Sequence, residues 1–130
     1  MPLEVAAKIT LCPIIKHVAD FQKTNNTQHL YRALDRFAIE CYSDESNENE
    51  TCTELNAHML LEVAKHYEDG AAKYGPDNWK MGIPTWCYID SAVRHYLKWL
   101  RGDKDEAHNK AFVWNLMCCV WEVDYHNTDA

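Results

Sequence analysis

The spacing of apolar residues restricts this chain more than anything else in it. They recur at intervals of three and four, and no stretch sustains the every-other alternation of a half-buried strand. From Gln28 to Tyr42, Leu30, Ala33, Leu34, Phe37, Ala38 and Cys41 form one stripe, while Arg32, Asp35 and Arg36 lie off it. Residues 3–22 carry Val5, Ile9, Leu11, Ile14, Ile15, Val18 and Phe21 on a similar period. Proline inside a helix removes a hydrogen bond and clashes with the preceding turn, so this helix is expected to begin near Cys12 with Pro13 in its first turn. Asn25-Asn26-Thr27 supplies the turn that follows, with Thr27 as the cap of the next helix. A third helix is expected from about Thr53, with Leu55, Met59, Val63 and Tyr67 in line, as far as Gly70 or Tyr74. GPDNWKMGIP is loop by composition. A fourth helix runs from about Thr85 to Leu100 and stops at Gly102, with Lys98 and Arg101 at the end where the helix dipole favours cations. Asp103 or Asp105 is expected to cap a fifth, apolar from Ala111 to Val123. These elements predict an all-α, single-domain bundle of about five helices. Residues 1–52 would be an N-terminal helical scaffold with an acidic loop, SDESNENET, and 53–130 a three-helix core.

A chain of 130 residues supports one core of this kind. Its net charge of −7 argues against a nucleic-acid binder, which needs a basic stripe. No apolar run approaches the roughly 20 residues that cross a bilayer. MPLEVAAKIT is not a signal peptide, so a cytoplasmic protein is expected, in the host cytoplasm if it is phage-encoded. The six cysteines include no CxxC pair and read as reduced, buried thiols.

Polar residues then appear where a plain bundle would be apolar. Glu62, His66 and Asp69 are spaced by four and three and share a face, with Glu68 beside them. Carboxylates and an imidazole one turn apart suit a divalent ion, although the same spacing also describes a solvated face. Asp90, Arg94 and Lys98 line the fourth helix, with Ser91 and His95 next to them. Ile89, Ala92, Val93, Tyr96 and Leu97 surround that line, so Asp90, Arg94 and His95 are expected to be partly buried. On the fifth helix His108, Asn115 and Glu122 repeat every seven residues. Asn115, set among Trp114, Leu116 and Met117, should bond across helices or to a ligand. Lys73, Tyr74, Asn78, Trp79 and Lys80 offer cations for phosphate and aromatic faces for a base, or Trp79 simply plugs the end of the bundle. Phosphate-cradling glycine loops, HExxH and a nucleophile elbow are all absent.

With these residues in view, EVAKHYEDGAAKYGPDNWKMGIP, DSAVRHYLKWLRGDKDEAH and AFVWN resemble the core of the small phage and prophage proteins grouped as the dATP/dGTP diphosphohydrolase N-terminal family. The resemblance covers roughly residues 55–124. It rests on GAxKYG, NW, RH and a downstream histidine, at Gly70, Ala71, Lys73, Tyr74, Asn78, Trp79, Arg94, His95, Asp105 and His108. It implies a helical enzyme similar to the all-α NTP pyrophosphohydrolases, cleaving a purine dNTP to dNMP and pyrophosphate with Mg²⁺ (or Mn²⁺). The chain departs from that superfamily in lacking an ExxE line followed by an ExxD line. The resulting expectation places metal at Glu62, His66, Glu68, Asp69, Asp90 and Asp105. His95, His108 and Glu62 would be catalytic, and Lys73, Tyr74, Asn78, Trp79, Arg94, Lys98 and Asn115 would bind substrate. The expected partners are a purine nucleotide and a second copy of the chain in a homodimer, with neither nucleic acid nor membrane. The alternatives are a non-catalytic phage module that sequesters a nucleotide or binds a protein, and a structural domain with a polar core network.

Overall fold

The computed structural model describes residues 12–43, 52–74 and 83–126, with Leu3, Val5 and Lys8 before them; in the second stretch, side chains are described from 54 to 65. Every regular element among them is helical: α1 (Pro13–Thr24), α2 (Gln28–Tyr42), α3 (Cys52–Tyr74), α4 (Thr85–Arg101), α5 (His108–Trp121) and a π-helical turn, Glu122–His126. The fold is all-α, as the spacing predicts. The acidic loop lies outside the described residues except for Ser43. The chain forms two compact units, Met1–Asn56 and Ala57–Ala130.

In the first unit α1 starts where proline allows. Pro13 occupies the first turn after Cys12, and Asn25 closes the helix in the left-handed conformation at φ 58°. A three-residue connection returns the chain, so α2 packs back on α1. Ile14, Ile15, Val18 and Phe21 face Leu30, Ala33, Leu34, Phe37 and Ala38 in one buried seam. Each fully buried aliphatic or aromatic side chain here contributes roughly 1.5–3 kcal/mol, which outweighs the weak intrinsic stability of helices this short. The capping differs from the sequence expectation. Thr27 stands at the N-cap of α2 but makes no side-chain cap bond. Asn26 Oδ1 instead accepts the Gln28 N–H at 3.0 Å, because an Asn side chain can mimic a backbone turn two residues on. Asn56 Nδ2 donates to Asp35 Oδ1 at 2.9 Å and ties the start of α3 to α2.

In the second unit α4 and α5 pack as a pair. Ile89, Ala92 and Tyr96 from α4 and Phe112, Val113, Leu116 and Cys119 from α5 are buried, with the Tyr96 and Phe112 rings 5.4 Å apart. Gly102 ends α4 at φ 89°, where a side chain would be strained. Its N–H bonds to the Trp99 carbonyl at 3.0 Å and that of Asp103 to Lys98 at 3.0 Å, the two bonds of a Schellman ending. Neither Asp103 nor Asp105 caps α5, contrary to the sequence expectation. Ala107 is the N-cap. Asp103 pairs with Arg101, and Asp105 accepts a hydrogen bond from the His108 ring, so each carboxylate is already engaged by a side chain. At the far end of α5, buried Glu122 accepts from His126 Nδ1 at 2.6 Å, and His126 stacks on Trp121.

Candidate functional site

The tight turn after Gly102 aims the connection 103–107 back at the facing ends of α4 and α5, where His95 and His108 meet. Their Nδ1 atoms lie 2.9 Å apart, so at most one of the two carries a proton. His108 is buried, and its Nε2 lies 2.7 Å from Asp105 Oδ1. Asp105 is ionised, its carboxyl held below the ordinary value chiefly by that hydrogen bond. The network therefore assigns the His108 proton to Nε2 and leaves its Nδ1 as an acceptor. Glu106 Oε1 completes the group at 3.3 Å from His95 Nδ1 and 3.6 Å from His108 Nδ1. The result is a chain of contacts, Asp105–His108–His95, with Glu106 at its centre.

Burial pushes the His95 pKa below its ordinary value. Glu106 opposes that shift, while His108, Lys98 and Arg94 reinforce it. At neutral pH His95 is thus held in the uncharged form that can take up a proton or bind a metal.

Two imidazoles and a carboxylate can also converge on one ion. The three donor atoms form a triangle with edges of 2.9, 3.3 and 3.6 Å. Neighbouring ligands of an ion with bonds of about 2.1 Å sit roughly 3.0–3.4 Å apart. Asp105 would then buttress His108 from behind, the carboxylate–histidine–metal arrangement that fixes a ligand's tautomer. Such nitrogen-rich donors suit first-row transition ions, whereas Mg²⁺ prefers oxygen. Of the two ions implied by the family resemblance, Mn²⁺ fits this set and Mg²⁺ fits it poorly.

The structure brings together His95, His108 and Asp105 from the expected residues, with Lys98 close enough to act on His95 and Asp105 electrostatically. Other expected residues lie elsewhere. Asp90 and Arg94 pair at 3.4 Å, but their side chains are 64% and 66% exposed, so the expected partial burial does not occur. The apolar residues of α4 divide between two faces, leaving this pair in water. Among the described residues Asp90 joins no metal-competent cluster. Asn115 needs no partner across helices, because its Nδ2 donates to the Ala111 carbonyl one turn back at 2.8 Å. Glu62 is half-buried on α3, with His58 Nε2 at 3.9 Å. The side chains of His66, Glu68, Asp69, Lys73 and Tyr74, and all of Asn78 and Trp79, lie outside the described residues. Glu106 was missed by sequence reasoning. The only signal for it was its place two residues before His108 in a run of acids.

This geometry belongs to a small all-α protein with a histidine–carboxylate centre between two packed helices. The family described as "dATP/dGTP diphosphohydrolase, N-terminal" matches residues 40–129, and the chain belongs to it. No curated protein and no solved structure matches the chain. Among the described residues no helix is long and apolar enough to cross a membrane.

Proposed function

We propose that the chain is a metal-dependent diphosphohydrolase of purine deoxynucleoside triphosphates, releasing pyrophosphate, with His95, Glu106 and His108 at its reacting centre. The observation that carries this reading is the convergence of two imidazoles, His108 buried and His95 largely so, with Glu106 and the Asp105 buttress, inside the region that matches a dATP/dGTP diphosphohydrolase family. His95 Nδ1, His108 Nδ1 and Glu106 Oε1 would hold a divalent ion. Such an ion draws charge from a phosphoryl oxygen and acidifies a nearby water.

The protein's own groups do the rest. Asp105 keeps the His108 proton on Nε2 and so presents Nδ1 to the centre. The neutral His95 ring would serve as a ligand through Nδ1, or, with Nδ1–H bonded to His108, as a proton acceptor through Nε2. Lys98 sets a positive charge beside the histidines, where an incoming phosphate gains from it. Mg²⁺, which oxygen ligands suit, would be held by the triphosphate's own oxygens. Lys73, Tyr74, Asn78 and Trp79, which match the family's motif, are assigned to the nucleotide, and Glu62, His66, Glu68 and Asp69 to metal by their spacing in the sequence.

The chain further acts as a homodimer in this reading. Trp86, Leu97 and Leu100 project from α4 with 66%, 48% and 55% of their surface exposed. With half-buried Val93 they form an apolar stripe at intervals of seven, four and three that a second copy of the chain would cover.

The test is pyrophosphate release from dATP and dGTP with Mn²⁺ and with Mg²⁺, for the wild type and for Glu106→Gln. Loss of a supporting general acid–base or ligand group should cost on the order of 10²-fold in rate. Tight nucleotide binding with no product would instead support the sequestering module.

A further inference from the structure

A second histidine–carboxylate group lies in the first unit, ahead of the residues that match the family. His17 and Asp20 are one turn apart on α1, and His29 stands in the first turn of α2. One nitrogen from each ring and one Asp20 carboxylate oxygen all lie within 4.8 Å of one another. We propose that His17, Asp20 and His29 form a binding site for a divalent transition-metal ion, of which Zn²⁺ is the best-suited representative.

The connection between the helices is built to hold these residues together. The Asn25 N–H bonds to the Phe21 carbonyl at 2.7 Å, Thr24 Oγ1 accepts the Asn26 N–H at 3.2 Å, and Asn26 Oδ1 accepts the Gln28 N–H. The buried seam of Val18, Phe21, Leu30 and Ala33 clamps both helices on either side of that turn.

The chemistry of the three side chains points to an ion rather than to an internal network. Nδ1 of His17 and Nδ1 of His29 are both buried and have no hydrogen-bond partner among the described residues. Buried ring nitrogens are nearly always satisfied, so two unsatisfied ones on rings that cluster with a single carboxylate need a common explanation. His17 and Asp20 are also in the forms that ligate. Burial pushes the His17 pKa down against the opposing pull of Asp20, with Lys16 and Arg32 adding to the effect of burial. The hydrogen bond from Lys16 holds Asp20 ionised through Oδ2 at 3.1 Å, leaving Oδ1 for a cation. Two imidazoles and one carboxylate with an open fourth position are a common Zn²⁺ set. An ion held by residues of both helices would clamp α1 to α2.

The experiment uses the full chain, stripped of metal and titrated with ZnCl₂ by calorimetry, as wild type and as the double variant His17→Gln/His29→Gln. The proposal expects one Zn²⁺ isotherm to weaken at least tenfold in the double variant while pyrophosphate release is unchanged. It also expects Zn²⁺ to shift the ring-nitrogen NMR signals of His17 and His29 in the wild type, which holds whether or not the variant folds. An unchanged isotherm in a folded double variant, or ring signals that ignore Zn²⁺, would overturn it.

Discussion

Two histidines with depressed pKa values, His17 and His95, give the chain a definite pH response at the scale of single residues. In each case burial is the largest cause. Because the folded-state values lie below the ordinary 6.5, the unfolded chain binds these protons first. The stability they contribute is full above that value and is lost as pH falls from it toward the folded-state values. Urea unfolding with a chelator present should therefore show a midpoint that declines below pH 6.5, and His95→Gln should flatten the decline. His108 has a different part, since it is fully buried between Asp105 and His95. Truncation to alanine removes a buried ring and its hydrogen bond with His95 Nδ1, at a cost of about 2–4 kcal/mol. The same urea titration at pH 8 checks it, and a loss under 1 kcal/mol would contradict the packing described.

At the scale of elements, α4 and α5 show which parts of the sequence could be read in advance. The boundaries of α1 and α4 were legible because Pro13 and Gly102 act through their own backbones, with no help from distant residues. Gly102→Ala should cost about 1 kcal/mol by forcing a side chain into the left-handed region, read as a lower thermal midpoint. His95 and His108 were each singled out by the polar lines on their helices and by the family resemblance, but their pairing was not. Its geometry was not legible, because it depends on how the connection between α4 and α5 folds back. For the same reason Glu106 passed as one acid among several, and Asp105 was expected as a cap. Asn115 was expected to need a distant partner, yet a helix offers a carbonyl four residues back to any Asn that can reach it. His17, Asp20 and His29 escaped notice because only the α1–α2 turn brings them together. Of the cysteines expected to be buried thiols, Cys12, Cys41 and Cys87 are only half-buried, whereas Cys118 and Cys119 lie inside. Burial pushes both thiols up to about 12. Neither should react with a thiol reagent in the native protein at pH 8, and both should react after unfolding, as read by mass spectrometry.

At the scale of the whole molecule, the all-α fold and the family membership set the frame, and the histidine–carboxylate centre gives it a chemical meaning. The exposed stripe on α4 predicts self-association. Leu97→Glu with Leu100→Glu should convert a dimer to a monomer in sedimentation velocity, with α-helical circular dichroism retained. The central claim is that His95, Glu106 and His108 are the reacting centre of a nucleotide diphosphohydrolase. Its most direct test is the rate of pyrophosphate release from dATP and dGTP by wild type and His95→Gln, both with Mn²⁺ and both shown to be folded. Release by the wild type that falls on the order of 10²-fold in His95→Gln is the predicted result; equal rates in the two proteins, or none in the wild type, would contradict it.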